Sequence, residues 1–98
     1  MPAVCCIGDL DLVHCSVPIR AQGSTNVYAE GLLISRQGDL NGPHLLKPPA
    51  TPCGTHAAPI TTGSLTVFVN GKGCGRIGDP ITACTLVATG CPTVFAGG

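Results

Sequence analysis

Tryptophan is absent, aromatic residues make up 3% of the 98, and charged residues 10%, where roughly a quarter is usual for a soluble domain. Without large rings the core must be built from small side chains, and so short a chain then needs a further source of stability, from a metal, disulfides or oligomerisation. The formal net charge is zero with histidine neutral. Nucleic acid and anionic membrane surfaces both call for a basic patch, so no nucleic-acid partner is expected. No apolar run approaches the ~20 residues of a membrane-spanning helix. The start, MPAVCCIGDLD, has neither a basic stretch nor a long apolar core. It is therefore not a secretory signal, and any export should use another route. No nucleophile–base pair, phosphate-binding loop or paired carboxylate motif stands out, so a non-enzyme is expected.

What the sequence does have is fourteen glycines, nine prolines and seven cysteines. The glycines and prolines imply frequent turns. An odd cysteine count without a signal peptide favours reduced thiols and metal binding over a disulfide framework. A disulfide-rich secreted binding module stays as the alternative.

An internal repeat organises the chain. Residues 63–79, GSLTVFVNGKGCGRIGD, align without a gap to residues 23–39, GSTNVYAEGLLISRQGD. Gly23, Ser24, Val27, Gly31, Arg36, Gly38 and Asp39 recur as Gly63, Ser64, Val67, Gly71, Arg76, Gly78 and Asp79. Two half-copies complete the set. The C-terminal GCPTVFAGG repeats the front half, with Cys91 at the place of Ser24 and Ser64. The N-terminal CIGDLDLVH repeats the back half, Ile7-Gly8-Asp9 matching Ile77-Gly78-Asp79. The pattern predicts three units, one of them closed by the two termini. Thr66-Val67-Phe68-Val69 followed by Asn70-Gly71 is a strand with the strongest short hairpin signal. No long window has a helical period. The expected fold is all-β: one small closed domain over 1–98, made of three pseudo-threefold hairpin units with adjacent termini. The proline-rich stretch 45–59 reads as an inserted loop.

The three histidines fall on this frame. His14 lies five residues after Asp9 and His44 five after Asp39, while the position five after Asp79 is Cys84. One phase of the repeat thus carries His14, His44 and Cys84, and His56 in the insert can supply a fourth ligand. Four N and S donors suit tetrahedral zinc, and a site filled by protein leaves no place for water or substrate. One structural zinc is the expectation. Cys53, three residues before His56, and Cys15, beside His14, compete with Cys84. A metal-dependent hydrolase would need an open coordination position and a general base, and neither is visible. Cys5, Cys6, Cys74 and Cys91 read as small packing residues. Asp9, Asp39 and Asp79 read as turn residues that accept backbone N–H groups, with Arg36 and Arg76 three residues before two of them, placed to pair with them or to line a surface.

These residues resemble the PAAR-repeat proteins, named for a Pro-Ala-Ala-Arg stretch. Members carry strands like TGSxTVFVNGK, then Arg-x-Gly-Asp, then a histidine or cysteine. TTGSLTVFVNGKGCGRIGD at 61–79 is similar to this, and so is ATGCPTVFAGG at the C-terminus; the likeness extends over nearly the whole chain. The chain departs from the naming tetrapeptide, keeping its arginine alone in Gly73-Cys74-Gly75-Arg76 and Leu33-Ile34-Ser35-Arg36. The resemblance implies a cone that caps a trimeric valine–glycine repeat spike of the type VI secretion system, or a contractile phage tail spike, and sharpens it for membrane piercing. It implies zinc at His14, His44, His56 and Cys84, and a protein held in the cytoplasm until it leaves on the spike tip or joins a virion tail. It also implies transient contact with the target membrane. Effectors are a further partner class, with an adaptor that recruits them to the spike as the alternative role. With no extension at either end, the chain is expected to be a bare tip without a fused toxin.

Overall fold

The two Xaa-Gly turns set the regular structure. Asn70 and Gly71 both have positive φ, 54° and 78°, and so do Glu30 and Gly31, 51° and 79°. This is the mirror-image turn whose twist suits a two-residue hairpin. In the computed structural model, which describes residues 2–13, 18–42, 57–82 and 85–97, each turn joins a pair of short antiparallel strands. Tyr28–Ala29 (β1) pairs with Leu32–Leu33 (β2), and Phe68–Val69 (β3) pairs with Lys72–Gly73 (β4). Tyr28 faces Leu33 and Phe68 faces Gly73, the same register in both. Among the described residues there is no helix. The described residues form a small strand-only domain; the radius of gyration is 12.8 Å and the extents are 40 × 23 × 21 Å.

Outside the hairpins the chain is held by single bridges, and the same bonds recur at three places. Gly-Asp turns at Gly8, Gly38 and Gly78 all have φ near 90°. At each, a carboxylate oxygen of the aspartate accepts the backbone N–H three residues back, from Cys6, Arg36 and Arg76 at 2.7, 2.8 and 2.8 Å. The chain then turns back on itself: Arg20, Ile60 and Val87 donate their N–H to the carbonyls of Asp9, Asp39 and Asp79. Arg36 and Arg76 also pair with their aspartates, each at 2.8 Å.

Three further bonds form a closed ring. The N–H of Cys5 donates to Gly75 O, that of Gly75 to Ser35 O, and that of Ser35 to Cys5 O, each at 3.0 Å. The terminal segments are part of this order. Ala3 bridges Phe95, and Ala96 N donates to Pro2 O, so the first and last described residues pair as the strands of a hairpin do.

The buried side chains fall into two apolar clusters. One holds Ala29, Val69 and Ala96 with Val4, Ile34 and Cys74. The second is made of Cys5, Ala58, Ile60, Ile81 and Val87. The ring itself is crowded. A Cβ at Gly75 would meet Ser35 O at 2.6 Å, Cys5 Sγ at 2.7 Å and Ile60 Cδ1 at 2.9 Å. Backbone cannot yield there without breaking the ring, so Gly75→Ala should destabilise the fold by about 1–3 kcal/mol, read as a lower urea midpoint at unchanged slope. A cost under a few tenths of a kcal/mol would mean that the ring is slack.

Candidate functional site

The expected zinc ligands His14, His44, His56 and Cys84, and the competing Cys15 and Cys53, lie outside the described residues. What is described is the frame that leads to them. Asp11, Asn41 and Ile81 each stand three positions before His14, His44 and Cys84 in sequence. These three are brought into one layer. Asp11 bridges Val87, Asn41 bridges Arg20, and Ile81 bridges Ile60, so each segment is tied to a neighbour from another part of the chain.

That layer is more polar than its repeat partners predict. Arg20 and Asp11 are fully buried, and the guanidinium approaches the carboxylate at 3.0 Å. Arg20 also donates to Asp39 O at 3.3 Å, and Asn41 Nδ2 donates to the Asp11 carboxylate at 3.1 Å. Asn41 Oδ1 accepts the N–H of Ala58 at 2.8 Å. Charge removed from water here is compensated by its partner and by these amide bonds.

A second cluster lies on the hairpin side. The ligand atoms of Cys6, Asp9 and Cys91 all fall within 4.8 Å of one another, a grouping that could hold a metal ion but does not identify zinc. Cys6 and Cys91 are buried free thiols with sulfurs 3.1 Å apart. Both face the carbonyl of Ala29 at 3.8 Å. Asp9 is otherwise engaged in its turn and accepts Thr89 Oγ1 at 3.0 Å. Burial pushes the Cys6 thiol well above the ordinary range, and its hydrogen bond with Cys91 adds to this. The Cys5 thiol is raised by burial as well, and that of Cys74 is pushed up to about 11 by the same cause.

Cys6 was missed as a special position, although the signal was in the repeat. Counting back three residues from each aspartate gives Arg36, Arg76 and Cys6. Cys91 stands opposite Ser24 and Ser64. The structure adds what that serine and arginine do. Ser24 Oγ and Arg36 Nη1 both donate to Asn70 Oδ1, at 2.5 and 3.2 Å. Ser64 Oγ and Arg76 Nη1 both donate to Gly97 O, the latter at 3.1 Å. Each serine–arginine pair thus clasps the end of a neighbouring hairpin segment. At the third such place the two positions are cysteines, against Ala29.

A third feature is the exposed face. Tyr28, Phe68 and Phe95, all the aromatic residues of the chain, are 59%, 59% and 50% exposed. They occupy the same step of the two hairpins and of the paired terminal segments. Leu32, Leu65 and Val67 are exposed as well. No helix of the described residues is long and apolar enough to cross a membrane. Against models of known protein families and against curated proteins, the chain matches none.

Proposed function

We propose that the protein is a structural spike tip: three hairpin units closed into a cone, docked by its broad base on the threefold end of a trimeric spike and braced at its point by one zinc ion. The observation that carries this reading is the exposure of all three aromatics at one repeated step. A soluble domain with so few aromatics gains nothing by showing every one of them to water, whereas rings at corresponding steps suit a partner with threefold symmetry. The closed ring of Cys5, Ser35 and Gly75 supports the three-unit arrangement, and the resemblance to PAAR-repeat proteins supports the partner. At a narrow point few side chains can surround one another, so burial is poor. A metal held by His14, His44, His56 and Cys84 would supply stability there. The role is mechanical: a sheath drives the spike, and the point concentrates force on a small membrane area. No reaction is assigned to the protein.

The test is association with a trimeric spike β-helix. One chain should bind per spike trimer, and Tyr28→Ser, Phe68→Ser and Phe95→Ser together should weaken binding at least ~100-fold, three anchors each contributing 1 kcal/mol or more. The melting temperature should move little, since these rings are exposed. Binding without that stoichiometry, or unaffected by the triple substitution, would overturn the reading.

A further inference from the structure

The serine–arginine clasp is present at two places and replaced at the third, and the replacement is double. Neither substitution makes sense alone. A cysteine for Arg36 or Arg76 loses the charge that pairs with the turn aspartate. A cysteine for Ser24 or Ser64 loses the hydroxyl that accepts the N–H groups of the following turn, as Ser24 does from Asn26 and Val27 and Ser64 from Thr66 and Val67. Two cysteines together bring their sulfurs to 3.1 Å. They do so at the one place where the hairpin segments come from opposite ends of the sequence, with no Xaa-Gly turn between them.

We propose that Cys6 and Cys91 form an intrachain disulfide, which ties the first strand segment to the last. A bond length of about 2.05 Å asks the two sulfurs to approach by about 1 Å from their 3.1 Å separation. A shared metal is the competing occupant. Two thiolates on one tetrahedral ion at about 2.3 Å would stand roughly 3.8 Å apart. A metal would therefore push the sulfurs apart where a disulfide draws them together, and charge distinguishes the two. Two thiolates and the Asp9 carboxylate around a divalent ion would leave the site net negative where the repeat has lost its arginine. A disulfide is neutral and needs no such compensation.

The oxidant is a low-molecular-weight disulfide. One cysteine, as thiolate, attacks a sulfur of that disulfide; a mixed disulfide forms and one small thiol leaves. The second cysteine gives up its proton and attacks the protein sulfur of the mixed disulfide. The Cys6–Cys91 bond forms and the second small thiol leaves. Two protein thiols are oxidised, and one small disulfide is reduced to two thiols. Both sulfurs are buried, so the exchange takes place as the terminal segments fray or before they dock. In a reducing compartment the pair stays as thiols, and the lock closes when the protein meets an oxidising one.

The test uses the full chain, zinc-loaded, in a series of oxidised-to-reduced glutathione ratios. Samples are quenched in acid, denatured and alkylated, then mapped by mass spectrometry. The expected result is a peptide linking Cys6 to Cys91, lighter than its alkylated counterparts by the two labels and the two hydrogens, and a melting temperature higher by roughly 10 °C or more in the oxidised form. Cys91→Ser should abolish the link and the shift. Cys6→Arg with Cys91→Ser, which rebuilds the clasp of the other two places, should fold and show no dependence on the glutathione ratio. Cys6 and Cys91 that stay fully alkylated at the oxidising end would overturn the proposal. So would links confined to other cysteines, or a second equivalent of zinc or cadmium bound per native chain that is lost in Cys91→Ser. The outcome is independent of whether the protein binds a spike.

Discussion

Treatment with a strong chelator is expected to lower the melting temperature by roughly 20 °C or more, because structural zinc binding is worth about 10–16 kcal/mol where folding depends on it. The loss should be reversed by adding back one equivalent of zinc per chain, counted with a metallochromic dye. Single changes of His14, His44 or Cys84 should lower both zinc content and melting temperature, since each would remove one of the four proposed ligands. Cys53→Ser should do neither. If Cys53→Ser stripped the metal and Cys84→Ser did not, the repeat phase would be the wrong guide to the ligand set. Acid should act like the chelator. Histidine must be neutral to bind, so zinc should leave as the pH falls through and below the ordinary histidine range near ~6.5.

The second large effect is expected at the buried Arg20–Asp11 pair. Arg20→Val, which places there the side chain found at the corresponding Val87, should cost about 3–5 kcal/mol, because a carboxylate buried at 2% exposure loses its cation. Adding Asp11→Asn, the amide found at Asn41, removes the stranded charge and keeps a partner for Asn41 Nδ2. The double variant should regain about 1–3 kcal/mol over the single one. Urea midpoints at constant slope measure both. A single substitution that costs under 1 kcal/mol would show that the pair contributes nothing net.

The contrast between these two places shows what the sequence could and could not disclose. The β class, both hairpins and the Gly-Asp turns were legible because their signals are local. Asn-Gly fixes a turn by itself, and the ungapped alignment carried the same turn to Glu30-Gly31. The arginine–aspartate pairs at 36/39 and 76/79 followed from three-residue spacing. The meeting of the two chain ends was legible from the split repeat, and Ala3 bridging Phe95 bears it out. The Arg20–Asp11 pair was not legible. Its repeat partners are Ile60, Val87, Asn41 and Ile81, so nothing in the pattern marks those positions for charge, and charged residues in a small domain read as solvent-facing. Cys6 was hidden for a related reason. Cysteine is no chemical relative of arginine, and the alignment was anchored on the glycine and aspartate that follow. The four expected zinc ligands were legible as a phase of the repeat, but they lie outside the described residues.

The ring of Cys5, Ser35 and Gly75 bears on when the protein can fold. Each of its three bonds joins residues 30 or more positions apart, so loop closure has to come before any of them stabilises the chain. The first strand segment waits longest. Val4 N donates to Val94 O, and Cys91 N to Val4 O, so the loops these bonds close are longer than any of those in the ring. The segment at Val4 is therefore expected to dock after Cys5, Ile7 and Gly8 have found their nearer partners Ser35, Leu33 and Arg20.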